Sequence, residues 1–361
     1  MKRILLETSA AATRIHIGQN LLAGIPAPLA GICGGRRAVV VTDSFLAKNH
    51  AKKFAANLNK TCETVIVTVA RGEAAKKMSV AEKTCSRLLS LGIGRDDTLI
   101  TFGGGSVGDL AGFVAATYMR AIPYVQIPTT LNAQADSSIG GKTGVNLPGG
   151  KNMVGVFYQP RAVFIDPALL RTLPDRAFNA GMAEVIKTAV VGDSRLFGLL
   201  ERNAKIIRKR KMEILEKMIT PCVRFKSQIV SIDEKENGAR MLLNFGHTFG
   251  HAIETAGGYG KFLHGEAVAM GMAATARIAA VKGLCAASLP ERLAALLKTF
   301  SLPTRIPAAI LPRIAKAVAR DKKKRAGRLT IVFPRKIGTA EIVSGFDTND
   351  VRQMLRESGK I

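Results

Sequence analysis

Six short runs rich in β-branched and apolar residues recur through the first half of this 361-residue chain, and their spacing limits the fold more than any other feature. They fall at 14–17, 38–42, 64–68, 98–102, 124–127 and 162–165. Stretches with apolar residues at helical spacing lie between them, at 45–58, 79–91 and 107–117. A strand that is repeatedly followed by a helix returns to its sheet by crossover, which sets neighbouring strands parallel. From about Pro174 the pattern turns helical, with one β-rich run at 329–333. The expected class is α/β, with an N-terminal parallel-sheet nucleotide-binding domain over 1–170. A mainly helical metal- and substrate-binding domain follows over 171–361, with Pro167 and Pro174 punctuating the join. A chain of this length can bury two sizeable cores.

No apolar run is long enough to span a bilayer, and MKRILLETSAAATRIHIG holds no sustained apolar core of a secretory signal. The five cysteines, at 33, 62, 85, 222 and 285, are scattered without a C-x-x-C pair. They read as reduced thiols of a cytoplasmic protein. The net charge of +26 suits phosphate-bearing partners through long-range attraction. The densest basic runs are 202–217 and 320–325. The first interleaves Ile206, Ile207, Met212, Ile214 and Leu215 at helical spacing and reads as a solvated helix face. With no Trp and no nucleic-acid motif, specific nucleic-acid binding is not expected.

Residues 240–264, RMLLNFGHTFGHAIETAGGYGKFLH, hold three of the five histidines. His247 and His251 are four apart and share a helix face, while His264 opens a second helix after a glycine-rich break. Met241, Leu242, Leu243, Phe245 and Ile253 supply an apolar, helical surrounding. Imidazoles converging from two helices suit a zinc-like divalent ion. HTFGH lacks the glutamate of H-E-x-x-H, so this is not a zincin pattern.

The strand at 98–102 runs into Gly103-Gly104-Gly105-Ser106-Val107-Gly108-Asp109 and a helix, a place where backbone N–H groups and the helix dipole favour a pyrophosphate. The strand at 38–42 ends on Asp43, a carboxylate suited to a ribose hydroxyl pair. The standard G-x-G-x-x-G spacing is absent. The polar stretch 128–146 reads as an active-site loop between two strands; its Gly-Lys-Thr is not a phosphate-binding P-loop, because Asp136 stands where that motif needs glycine. Lys142, Lys151 and Asn152 are placed to meet a phosphate or carboxylate. Glu184, in the apolar turn GMAEVIK, needs a partner: a metal, or Lys187 three residues on. Lys226, Arg240 and Asn244 lead into the histidine-rich helix.

Taken together, GGGSVGDLAGFVAATYMR, PTTLNAQADSSIGGKTGVN, GKNMVGVFYQP, GMAEVIK, LLNFGHTFGHAIE and LHGEAVAMGM resemble the 3-dehydroquinate synthase family of the sugar phosphate cyclases, in unbroken order over about residues 36–335. The resemblance implies a lyase of the shikimate pathway, in aromatic amino acid biosynthesis. It would turn 3-deoxy-D-arabino-heptulosonate 7-phosphate into 3-dehydroquinate and phosphate, through transient oxidation by NAD, phosphate elimination, re-reduction and aldol closure. It implies Glu184, His247 and His264 as ligands of Zn2+ or Co2+, with His251 on the substrate side. It implies Lys142, Lys151, Asn152, Lys187, Lys226, Arg240 and Asn244 as the pocket for a small anionic sugar phosphate, and Arg120 reaching the phosphate across a homodimer interface. NAD contacts are implied at Asp43, Glu73, Lys76, Gly104, Gly105, Asp109, Thr129, Thr130 and Asp136, with Lys142 and Lys151 beside the cofactor as well. A late basic segment, Asp321-Lys322-Lys323, matches one that touches substrate. The chain departs from the family pattern at Ser106, Asn132, Ala121, where glycine is expected, and Arg71. Two rival readings are a metal-dependent polyol dehydrogenase of related architecture and a basic nucleic-acid-binding protein.

Overall fold

The computed structural model describes residues 1–34, 36–148, 150–258, 260–319 and 328–358. Tyr259, the basic run at 320–325 and the expected substrate segment Asp321-Lys322-Lys323 lie outside the described residues. One unit comprises Met1–Leu173 with Lys226–Glu234, and the other Pro174–Phe225 with Lys235–Ile361.

The first unit contains, in order, β1 (Lys2–Glu7), β2 (Ala12–Ile17), α1 (Ala27–Cys33), β3 (Ala38–Asp43), the single turn α2 (Ser44–Leu46), α3 (Lys52–Leu58), β4 (Thr64–Val69), α4 (Met78–Ser90), β5 (Thr98–Gly103), α5 (Gly105–Thr117), β6 (Tyr124–Pro128), β7 (Lys142–Leu147), β8 (Gly150–Phe157) and β9 (Ala162–Ile165). Seven strands form one sheet in the order β1-β2-β9-β6-β5-β3-β4, parallel throughout except for the antiparallel β1–β2 pair. Every residue of β3, β5, β6 and β9 is buried. Strands covered on both faces need no strict polar alternation, which is why these runs are mostly apolar, with Thr98, Thr101 and Gln126 buried among the apolar residues. The period of two persists in what each side chain touches. Val39 and Val41 pack with Leu110 and Val114 of α5. Ala38 and Val40 pack with Leu29 of α1 and Phe54 of α3.

Three segments of this unit differ from the sequence expectation. The stretch expected as one helix over 45–58 is broken by a π-helical turn, Ala47–Ala51, between α2 and α3. The polar stretch expected as a loop ends in β7, which pairs antiparallel with β8. Gly155 is needed there, since a Cβ would stand 2.2 Å from the Thr143 carbonyl oxygen. The edge strand β1 buries only Leu6 and carries charge, so it presents little apolar pattern to read.

The second unit holds α6 (Asp175–Gly192), α7 (Ser194–Arg208), most of α8 (Met212–Ile232), α9 (His247–Gly257), α10 (His264–Val281), α11 (Ser288–Thr299), α12 (Leu311–Ala319), the antiparallel pair β10 (Leu329–Lys336) and β11 (Thr339–Phe346), and α13 (Thr348–Ser358). Its core joins Phe249 and Ile253 of α9, Met270 and Ile278 of α10, Ile314, Phe333 and Val351. The residues expected as a helical surround at 241–245 instead form a 3-10 turn, Ala239–Asn244. Gly246 at φ +78° then reverses the chain into α9, a conformation that suits glycine. Among the described residues, no helix is long and apolar enough to cross a membrane.

Candidate metal centre and nucleotide crevice

The second unit brings Glu184, His247, His251 and His264 together from three helices. Glu184 comes from α6, which is buried on nearly all sides, so its carboxylate is only 1% exposed. His247 and His251 come from the first turns of α9, and His264 starts α10. Missing side chains permit this convergence. A Cβ on Gly265 would fall 1.8 Å from the Ala180 carbonyl oxygen of α6, and one on Gly271 would fall 2.0 Å from the Gly246 oxygen. Helix backbones meet at those glycines, and His247 and His264 sit next to them in the chain.

Glu184 Oε1 lies 3.7 Å from His247 Nε2 and 3.4 Å from His264 Nε2. A tetrahedral zinc ion bound at about 2.1 Å holds neighbouring donors roughly 3.4 Å apart. The three imidazoles have one nitrogen each within 4.8 Å of one another. Both Glu184 distances lie close to the zinc donor spacing, so Glu184, His247 and His264 could hold a small divalent ion, and His251 stands beside them. Its ring centroid is 5.5 Å from that of His247 and 5.8 Å from that of His264. The far ring nitrogens are also engaged. His247 Nδ1 is 3.2 Å from the Phe245 carbonyl oxygen, and His264 Nδ1 is 3.0 Å from Glu254 Oε2. With Nδ1 as donor in each ring, both Nε2 atoms face Glu184, where each could give its lone pair to an ion in place of a proton. Burial opposes a charged imidazole at His264, but hydrogen bonds and attraction from Glu184 and Glu254 outweigh it and push its pKa up to about 10. The cluster favours a cation at that point.

Lys187, 1% exposed, places Nζ 2.5 Å from Glu184 Oε2. Arg240, in the 3-10 turn, is also 1% exposed, and Asn244 at the end of that turn donates to Glu236 Oε1. Neither Glu236 nor Glu254 was singled out from the sequence. Glu254 was findable, because it lies seven residues after His247 and so two turns along the same helix face.

In the first unit, β3 is flanked by β4 on one side and β5 on the other, so the strand order reverses there. Ligands of open parallel sheets bind beyond the carboxyl ends of strands at such a switch point. Asp43 and Gly103 end the two strands concerned. Asp43 is 8% exposed; its Oδ1 accepts from the Phe45 and Leu46 amides at 2.9 and 3.0 Å. Helix α5 begins at Gly105 with Gly104 as its cap, so no side chain covers its first-turn amides. The glycines also have an internal reason that the sequence did not disclose. A Cβ on Gly103, Gly104 or Gly105 would fall within 2.9 Å of Val107, Thr130 or Ser137 respectively. Nearby, Ser137 Oγ, Ser138 Oγ and Gln134 Oε1 are buried without a hydrogen-bond partner in the structure. Helix amides without a side-chain cap and orphaned polar atoms beside an acidic strand end fit a dinucleotide.

The other expected residues of this unit make several polar contacts. Lys76, 4% exposed, bridges Asp109 Oδ2 at 2.6 Å and Asn152 Oδ1. Glu73 accepts from Asn146 at 2.8 Å and lies 3.9 Å from Lys151. Lys226 bonds both the backbone and the carboxylate of Asp136. Thr129 donates its amide to Gly103, and Thr130 Oγ1 accepts from the Ala133 amide at 3.2 Å. Lys142, at the start of β7, is exposed, as is Arg120. Met119, Arg120 and Ala121 have successive φ values of +50°, +66° and +103°.

Comparison with known proteins agrees with this geometry. Family models described as 3-dehydroquinate synthase N-terminal and C-terminal match residues 66–180 and 181–324. The 3-dehydroquinate synthase of Vibrio atlanticus (strain LGP32) is 42% identical over 357 residues, covering 98% of each chain. The solved 2-epi-5-epi-valiolone synthase ValA of Streptomyces hygroscopicus subsp. jinggangensis 5008, with NAD+ and Zn2+ bound, is 29% identical with a TM-score of 0.89, covering 100% of this chain and 99% of its own. A 2-deoxy-scyllo-inosose synthase complexed with carbaglucose-6-phosphate, NAD+ and Co2+ is 25% identical with a TM-score of 0.88, covering 99% of this chain and 100% of its own. Both halves of one family's pattern thus run through both units, and the chain belongs to the 3-dehydroquinate synthase family.

Proposed function

We propose that this chain converts 3-deoxy-D-arabino-heptulosonate 7-phosphate to 3-dehydroquinate and phosphate, as a phosphate-eliminating lyase that uses NAD and a divalent metal, Zn2+ or Co2+. The observation that carries the reading is the Glu184 oxygen facing two histidine Nε2 atoms at 3.4 and 3.7 Å in a chain that matches the family over both units. When bound, NAD supplies a reversible hydride acceptor and the metal supplies the charge that acidifies a substrate hydroxyl.

The chain's own residues do the rest. Glu184, His247 and His264 hold the ion, with Glu184 anchored from behind by Lys187. His251 stands beside this set, positioned to hold or pass a proton at a substrate hydroxyl. Lys142, Lys151, Asn152, Lys226, Arg240 and Asn244 match the family's substrate pocket and would supply cations and amides for the substrate's carboxylate and phosphate. Asp43 and Asp136 take ribose and nicotinamide-side polar groups, while the α5 amides face the pyrophosphate, with Gly104, Gly105, Thr129 and Thr130 around them. Lys76 and Asp109 fix the nearby polar chain. The protein acts as a cytoplasmic homodimer in which Arg120 reaches the neighbouring subunit's substrate phosphate; its exposure and left-handed backbone suit an outward-reaching side chain.

The deciding assay is phosphate release with NAD present only in trace. A cyclase returns its hydride in each turnover, so phosphate exceeds added NAD many times over. A polyol dehydrogenase would instead accumulate one NADH per product and release no phosphate, and that result would overturn the proposal.

A further inference from the structure

We propose that Glu254 is the positioning residue of the metal centre: its carboxylate fixes the His264 imidazole in the tautomer and orientation that bind metal. The inference rests on reading Glu184, His247 and His264 as the ligand set. Helix α9 carries His247, His251 and Glu254 at successive spacings of four and three, so the three share a face. Glu254 is 6% exposed, and its Oε2 lies 3.0 Å from His264 Nδ1. An ionised carboxylate only accepts hydrogen bonds, so Nδ1 carries a hydrogen and Nε2, 3.4 Å from Glu184 Oε1, is the ring atom that can offer its lone pair to an ion.

The two histidine ligands are held differently. His247 Nδ1 meets the carbonyl of Phe245, a neutral group set by the backbone two residues away. His264 follows a glycine-rich turn, and 36% of its side chain is accessible, so packing alone leaves its ring room to rotate. A carboxylate at Nδ1 removes that freedom and makes the imidazole a stronger base, as outer-shell carboxylates do in other metal sites. The ligand from the less confined position is thus the one with the charged partner.

The test measures Zn2+ affinity by chelator competition, together with the visible spectrum of the Co2+-substituted protein. Glu254→Gln keeps size and an accepting oxygen but loses charge; Glu254→Ala loses both. The expected order is wild type tightest, then Glu254→Gln, then Glu254→Ala, with the alanine variant weaker by about 10- to 100-fold. The Co2+ band should shift in both while His247→Ala serves as a ligand-loss reference. A purely structural Glu254 would lower thermal stability without grading the metal affinity, and affinities within twofold of wild type in both variants would overturn the inference. Glu184→Ala separates the two levels of reading. Loss of Zn2+ there, with Glu254 variants unaffected, sinks the positioning role alone; retention of Zn2+ there sinks the ligand set and this inference with it. Should the alanine variant fail to fold, the glutamine variant decides.

Discussion

Gly271→Ala should loosen the metal centre without touching a ligand. The new Cβ would lie 2.0 Å from the Gly246 oxygen and 2.9 Å from the Gly250 nitrogen. Ordinary contact begins at 3.4 Å, so α9 and α10 must part by about 1.4 Å at this crossing. Both obstacles are backbone atoms, and no side chain can rotate out of the way. Overpacking of this kind costs about 3 kcal/mol, the upper end of the usual range. The gain in helix propensity from glycine to alanine offsets roughly 1 kcal/mol of that. The net destabilisation is about 2 kcal/mol, or roughly 4–8 °C in Tm for a unit of this size. Gly246 directly precedes His247, so parting the helices also draws His247 away from His264, and Zn2+ content after dialysis should fall. Gly31→Ala is the control. That glycine lies inside α1, is exposed, and has nothing within 4 Å of the added Cβ. It should gain about 0.5–1 kcal/mol. Thermal melts with metal analysis would check both. A Gly271→Ala protein with wild-type Tm and full Zn2+ content would refute the close-crossing argument.

Other outcomes follow from the same geometry. Stripping the metal with a chelator should abolish turnover, and Zn2+ or Co2+ should restore it, as read by phosphate release; full activity in a verified metal-free sample would remove the metal from the mechanism. Zn2+ affinity should rise by about tenfold per pH unit across neutral pH, because an ion displaces the proton that His264 holds up to about pH 10, and titration calorimetry in several buffers would count that proton. In the metal-free protein the same raised pKa stabilises the fold fully below about 6.5, and this contribution is lost as pH rises through about 10, so the metal-free Tm should decline over that window. Ala121→Gly should raise Tm, since Ala121 sits at φ +103° and relief of such strain is worth about 1 kcal/mol. Binding to DNA, if measured, should be weak and fall steeply with salt, since the +26 charge offers counterion release without a reading surface.

The fold was most legible where burial was complete. In β3, β5, β6 and β9 each residue is covered, so a run rich in apolar and β-branched residues announced a parallel-sheet strand. The β7–β8 hairpin gave no such signal, because most of β8 is exposed or half-buried and polar residues occupy both strands. The turn at 239–244 misled for the opposite reason. Its apolar residues have helical spacing, but Gly246 takes a left-handed conformation that ends the run before the histidines begin.

The metal centre was legible in part, and the missing part is physical. Spacing places His247 and His251 on one face and His264 at a helix start, but it cannot say which helix brings a carboxylate to them. That depends on where α6 meets α10, which is set by Gly265 against the Ala180 carbonyl, a contact with no periodicity in the sequence. Sequence reasoning also treated Lys187 and a metal as competing partners for Glu184. The structure shows why those alternatives were not exclusive: Oε2 faces the ammonium at 2.5 Å, while Oε1 faces the two imidazole nitrogens. A buried carboxylate with one cation on one oxygen still presents a lone-pair surface on the other, and burial strengthens both attractions. Lys187 therefore holds Glu184 Oε2 and leaves Oε1 turned toward the two imidazoles. The lysine makes the glutamate a better candidate ligand instead of removing it from contention.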